Sequence, residues 1–206
     1  MSDGNMTPKG LERQRRILES AKEVFLEYGF EKASVAEIMR RSGGSISSLY
    51  SLFGNKVGVF RAMIEYVADD VFSEFSDEDF WTDDIEASLT RFATSMICLI
   101  SADDAVCLSR VVTGVSGKDR DEVNRIFFEL GPKRVRNMLT VYFESQQQKG
   151  NFDPDFDAYI AAAQFMAMLK EPWYSGIEVG VDQAPEVKQQ ALAQAVKVFV
   201  RGATPS

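Results

Sequence analysis

Residues 34–53, SVAEIMRRSGGSISSLYSLF, fit two helices and a tight break into one short stretch. Ser34 precedes the periodic positions Val35, Ile38, Met39 and Ser42, and Glu37 follows it by three residues. That Ser-x-x-Glu start satisfies orphan amides at a helix N-terminus. Gly43 falls where a helix ends in left-handed geometry, which glycine adopts without steric cost. Ser45 then caps a second helix, whose Ile46, Leu49, Tyr50 and Phe53 take the i, i+3, i+4, i+7 spacing of one buried face. Ser45, Ser47, Ser48 and Ser51 are left on the other side. The pattern predicts a helix-turn-helix, in which the second helix lies in the DNA major groove and the first crosses the backbone. Hydroxyls let a helix sit deep in a groove and bond to phosphates or base edges. An ordinary helical hairpin with a serine-rich surface fits the same pattern, so the flanking residues must decide.

Those flanks supply a setting. Residues 11–28 form an amphipathic helix with Ile17, Ala21, Val24, Phe25 and Tyr28 on one face, ended by Gly29. Arg13, Arg15 and Arg16 lie in its first turns. Cations there oppose the helix macrodipole, so a phosphate partner explains them better than fold stability does. Three helices over 11–53 can close on one small core. The net charge of −8 also divides unevenly. Residues 1–61 hold ten Lys/Arg against seven Asp/Glu, and residues 62–206 hold thirteen against twenty-four. A basic head on an acidic body suits a protein that offers one end to phosphates.

Helical periodicity continues to the C-terminus. Val59, Phe60, Met63, Ile64, Val67 and Val71 mark a connecting helix to about Glu74, followed by the acidic loop SDEDFWTDD. Asp83 or Asp84 caps a helix over 85–101, and a shorter one spans 103–114 before a break at Gly114–Gly117. A long helix is expected over 119–148, and Asp153-Pro154 is expected to open another that stops before Pro172. The last covers about 184–201. No strand-like alternation and no repeat appears, so the fold class is all-α. At 206 residues the chain can bury a sizeable core. No apolar run reaches membrane-span length, and the polar N-terminus lacks a signal peptide's apolar region, which predicts a cytoplasmic protein. Cys98 and Cys107 lie in apolar surroundings and read as buried free thiols.

The chain has no histidine, which removes Ser-His-Asp and Cys-His machinery and the commonest catalytic zinc ligand. It also lacks a phosphate-cradling glycine loop and a dinucleotide fingerprint. Asp153, Asp155 and Asp157 imitate a calcium loop, but Ala158 and Gln164 stand at its required glycine and glutamate positions. No enzyme, metal site or cofactor is expected.

Residues 11–67 resemble the DNA-binding domain of the tetracycline-repressor (TetR) family of bacterial transcription regulators. The likeness runs through Ile17, Ala21, Phe25, Gly29, Phe30, Ser34, Val35, Ile38, Ser45, Leu49, Tyr50, Phe53 and Lys56, and is densest in SSLYSLFGNK. Three features depart from the family's pattern. Ser42-Gly43-Gly44 replaces its usual Ala-Gly-Val turn, removing a packing side chain. Leu52 stands where a phosphate-touching His or Tyr is common. Val57 and Gly58 follow Lys56 where Glu often does.

The resemblance implies a DNA-binding domain at 11–58 and a ligand-binding and dimerisation domain at 59–206. It implies operator contacts from Ser45, Ser47, Ser48 and Ser51, with Ser34, Tyr50 and Lys56 holding phosphates. It also implies a homodimer joined through the last two long helices, bound to a palindromic operator. A pocket for an unknown small-molecule effector would lie in the body. Its candidate walls are Met63, Phe92, Met96, Leu99, Phe127, Phe128, Met138 and Tyr142, with Phe165 and Trp173 closing one side. Arg110, inside the apolar run VCLSRVVTGV, is read as a buried arginine that needs an anion, from an internal acid or from the ligand. The expected function is a repressor released from DNA by its ligand. An activator, an effector-independent regulator, and a small-molecule-binding protein with a degenerate DNA head are the alternatives.

Overall fold

Thr7 caps the first helix by accepting the Gly10 amide on its side chain, with Pro8 in the first helical position. The computed structural model describes residues 7–171, 176, 180–181 and 183–205. Among these residues the regular secondary structure is entirely helical. The elements are α1 Pro8–Lys32, α2 Val35–Ser42, α3 Ile46–Phe53, α4 Lys56–Val71, α5 Ile85–Ser101, α6 Asp103–Thr113, α7 Arg120–Leu130, α8 Pro132–Gln148, α9 Ala158–Lys170 and α10 Pro185–Ala203.

Several boundaries differ from expectation, each for a local reason. Gly29 does break α1, at φ 74° and ψ 166°, but the chain makes one further turn to Lys32. Because α1 starts at Pro8, the three arginines lie beyond its first turn, and Arg15 pairs along the helix with Glu12 at 2.7 Å and Glu19 at 2.6 Å. These carboxylates account for Arg15 without a phosphate. The long helix over 119–148 is two helices. Gly131 is non-helical at φ −108° and ψ −97°, and Pro132 restarts the helix because it cannot donate a backbone bond inside one. Asp153 does not cap a helix. Its carboxylate accepts the Asp155 amide in a tight turn, and Asp157 caps α9 through the Ile160 amide. At α5 the cap is Asp84, which accepts from Ala87, while Asp83 pairs with Lys149. Cys98 is exposed, because the buried stripe of α5 runs through Ile85, Leu89, Phe92 and Met96 and misses it. Cys107 is half-buried, and both thiols are free.

The chain divides into two compact units. The first joins the residues up to Asp70 with Cys107–Leu130, rather than stopping at the expected boundary after residue 58. The reason is apolar: Val59, Phe60 and Met63 of α4 are buried in one core with Ile17, Phe25, Ile38 and Leu49. Val111, Val112, Val123 and Ile126 enter the same core. At its centre Phe25 stacks on Phe30 at 5.7 Å, and Phe60 meets the two edge-on at 5.3 and 5.5 Å.

The second unit covers Val71–Val106 and the residues from Gly131 onward. There α8 packs on α9, and α10 packs on both α5 and α9. Its core is strongly aromatic, with Phe165 against Phe199 at 4.9 Å and Phe143 stacked on Phe152 at 4.8 Å.

A helix-turn-helix surface for DNA

α2 and α3 are short, and side chains fix their ends. The Ser34 hydroxyl accepts the Glu37 amide at 3.0 Å, as the capping-box spacing predicts. Gly43 closes α2 at φ 76° with its amide donating to Met39. Gly44 follows at φ 119°, where a Cβ would come within 2.8 Å of the Arg13 guanidinium and 2.9 Å of the Met39 methyl. Those two side chains thus fill the space that the missing turn side chain would take. Ser45 opens α3 by accepting the Ser48 amide at 3.2 Å and pairing with the Ser48 hydroxyl at 2.8 Å. Gly54 closes α3 at φ 77°. Asn55 then starts α4 by accepting the Gly58 amide at 2.8 Å. A Cβ at Gly58 would lie 1.9 Å from the Phe53 carbonyl oxygen, so this corner requires glycine.

Ion pairs lock α2 to α1. Arg41 reaches Glu37 at 2.8 Å, Glu27 at 2.7 Å and Glu23 at 3.6 Å, and lies over the Tyr28 ring. Arg40 adds a 2.7 Å pair to Glu37. Hydrogen bonds from Arg40 and then Arg41 pull the Glu37 carboxyl down to about 2. This clamp is absent from the sequence reading, although Glu37 and Arg41 stand at the i, i+4 spacing that would signal part of it.

The exposed surface of α3 departs from its predicted face. Leu49 is fully buried and Phe53 is half-buried, but Ile46 and Tyr50 are 43% and 47% exposed. An eight-residue helix meets the core along one narrow ridge, and these two residues sit on its flank. Leu52 is exposed as well. Ser47 and Ser51 are exposed, while Ser34, Ser45 and Ser48 are engaged at helix starts. The Lys56 ammonium is also engaged. It donates to the carbonyl oxygens of Phe30 at 2.8 Å, Glu31 at 3.2 Å and Ala33 at 3.5 Å, and lies over the Phe30 ring. A cation there satisfies the orphan carbonyls where α1 ends.

The expected effector-pocket residues fall in both units. In the first, Met63 is buried in the core, Phe127 is half-buried against it, and Phe128 is exposed. Arg110 is exposed, so the expectation that it is buried does not hold. It immediately precedes two core positions of α6, Val111 and Val112, which are buried while Arg110 is not. In the second unit Phe92, Met96, Tyr142 and Phe165 are buried, and Leu99 and Met138 are half-buried. Trp173 lies outside the described residues. Phe92 and Phe165 rings lie 6.3 Å apart. Trp81, which the sequence reading passed over as loop, joins this set at 5.7 Å from Phe92 and 4.6 Å from Tyr142. The Tyr142 hydroxyl donates to the Thr82 carbonyl at 2.9 Å, and burial pushes its phenol above the usual range.

A capped helical corner on a three-helix core, offering hydroxyls from its second helix, defines the class: a helix-turn-helix DNA-binding regulator, not an enzyme. Residues 17–63 match the family described as bacterial regulatory proteins of the tetR family, and residues 87–202 match the AefR-like transcriptional repressor C-terminal domain. The chain belongs to the tetR family of bacterial transcription regulators. It is similar to the HTH-type transcriptional regulator YdgC of Bacillus subtilis (strain 168), with 22% identity and 97% of each chain covered. Over 47% of its length it is 30% identical to the HTH-type transcriptional repressor ComR of Escherichia coli (strain K12), covering 46% of that protein. Its fold is that of a TetR-family regulator from Mesorhizobium loti MAFF303099, at TM-score 0.79 and 18% identity, covering 97% of this chain and all of that one. The flavonoid-responsive regulator FrrA has the same fold at TM-score 0.79 and 22% identity, with 94% and 98% covered. No helix among the described residues is long and apolar enough to cross a membrane.

Proposed function

We propose that the chain is a homodimeric repressor that leaves its operator when a small molecule binds the second unit. The observation that carries its DNA half is α3: pinned at both ends, it turns Ser47 and Ser51 outward. Ser34, Ser45 and Ser48 remain in the DNA contact set as residues that set the pose of α2 and α3. Their hydroxyls have lone pairs and protons beyond the capping bonds with which to meet phosphate. Tyr50, half out of the core, reaches phosphate from the flank. Lys56 acts through α1 and not on phosphate, because its donors are spent on carbonyls.

Dimerisation is supported by faces left uncovered in the second unit. Ile160, Gln164 and Ala167 form an exposed stripe on α9, and Val187, Gln194 and Val198 form one on α10. Exposed stripes at helical spacing on two packed helices, mixing aliphatic side chains with glutamine, suit a four-helix interface with a second copy. The walls of an effector pocket would come from the aromatic set around Phe92, Tyr142 and Phe165, joined by Trp81. The relative FrrA is named for flavonoid response, and planar aromatic compounds are the first class to try. Release requires the effector to bind the non-DNA-binding state more tightly than the bound state.

The test is a gel shift on DNA upstream of the chain's own gene, followed by a reporter fused to that promoter. A retarded band, with reporter output that rises when the regulator gene is deleted, supports the proposal. Output that falls on deletion makes the protein an activator. Absence of any specific band returns the head to a degenerate role.

A further inference from the structure

The α3 surface lacks the groups that usually discriminate bases. ISSLYSLF contains no Arg, Lys, Asn, Gln, Asp or Glu, so no side chain on this helix can make a bidentate bond to guanine or adenine or present a carboxylate to cytosine. Serine hydroxyls both donate and accept, and therefore suit several bases. What α3 does offer is Ile46. It occupies the first helical position, is 43% exposed, and lies one turn from Tyr50, which is 47% exposed. Residues one turn apart share a face, so the two form a small uncovered apolar patch beside the hydroxyl row. Nothing in the core of the first unit requires a β-branched aliphatic side chain there.

The edges exposed in the major groove carry one apolar group, the C5-methyl of thymine. N-terminal residues of a recognition helix are the ones that reach base edges. Removing an aliphatic surface and a methyl from water together is favourable, and no other base returns that gain. We propose that Ile46 is the specificity residue of this regulator, reading thymine C5-methyl groups, and that apolar contact carries base choice in place of bidentate hydrogen bonds. The inference rests on the DNA-binding reading of α3 and deepens it.

The experiment begins with selection of binding sequences from a random duplex library by the full-length protein. Each thymine in the enriched site is then replaced singly by uracil, which removes the methyl and keeps the pairing. The expected result is a loss of roughly three- to fivefold in affinity at one or two thymines per half-site, the scale of one buried methyl. With Ile46→Ala, the same replacements should have no further effect, and Ile46→Val should retain most of the sensitivity. Circular dichroism melts of the variants confirm that the head stays folded, as an exposed position allows. Uracil tolerated at every thymine overturns the inference and leaves DNA binding intact. The same holds if wild type and Ile46→Ala respond equally to uracil. A selection that enriches no sequence overturns the DNA-binding reading itself, and this inference with it.

Discussion

Lys56 is half-buried with its ammonium on three backbone carbonyls, which makes it a stabilising residue of the head. Lys56→Ala should cost about 1.5–3 kcal/mol, the range for hydrogen bonds to a charged group, read from denaturant unfolding. A phosphate-binding lysine would also take about 1.8 off the slope of log affinity against log salt, about 0.9 for each subunit of the dimer, and here that slope should not change. The two glycines of the motif differ in kind. At Gly44 the atoms that a Cβ would meet are the ends of flexible side chains, so Gly44→Ala pays mainly for its positive φ, about 1–3 kcal/mol. At Gly58 the obstacle is the Phe53 backbone oxygen, so Gly58→Ala should cost more than Gly44→Ala in the same unfolding experiment.

Glu37 gives the head a pH dependence. Its carboxyl is pulled to about 2 from an ordinary value of 4.5, so its contribution is full above 4.5 and is lost as pH falls through about 2. Unfolding midpoints taken across that window should drop less steeply for Glu37→Gln than for wild type. Equal slopes would show that the Arg40 and Arg41 pairs add nothing.

Helices were the most legible elements, because capping residues and apolar spacing act locally. The starts of α2, α3 and α5 follow from Ser34, Ser45 and Asp84. Where two local signals competed, spacing alone did not decide. Pro132 outweighed a continuous apolar pattern across 119–148, and a side-chain turn at Asp153 displaced a cap that the dipeptide Asp-Pro suggested. The α3 face was misread because Leu49 and the half-buried Phe53 supply its ridge, while Ile46 and Tyr50 match the period without being covered. Arg110 was misread in the same way, from an apolar neighbourhood in sequence that is not one in space. Capping carries its own prediction. Ser45→Ala removes the start of α3 and should cost about 1 kcal/mol of stability. It should also weaken DNA binding more than Asp157→Ala, which loses an equivalent cap on α9 remote in sequence from the motif.

At the scale of the whole molecule, each compact unit has its own core and its own uncovered surface. Non-local partners such as Trp81 with Tyr142 were not legible, since 61 residues separate them and nothing in the local pattern links them. The α9 and α10 stripes predict a dimer. Ile160→Asp with Val198→Asp should yield a folded monomer by sedimentation, and an unchanged dimer would place the interface elsewhere. The central claim is that the outward face of α3 holds the DNA. Ser47→Glu with Ser51→Glu puts two carboxylates on that face at exposed positions, where the core is untouched. Fluorescence anisotropy with the selected duplex measures the outcome directly. The account predicts an unchanged melting temperature and a loss of at least about a hundredfold in affinity, the scale of two uncompensated charges against phosphate and base edges. Wild-type affinity in that double variant would contradict it.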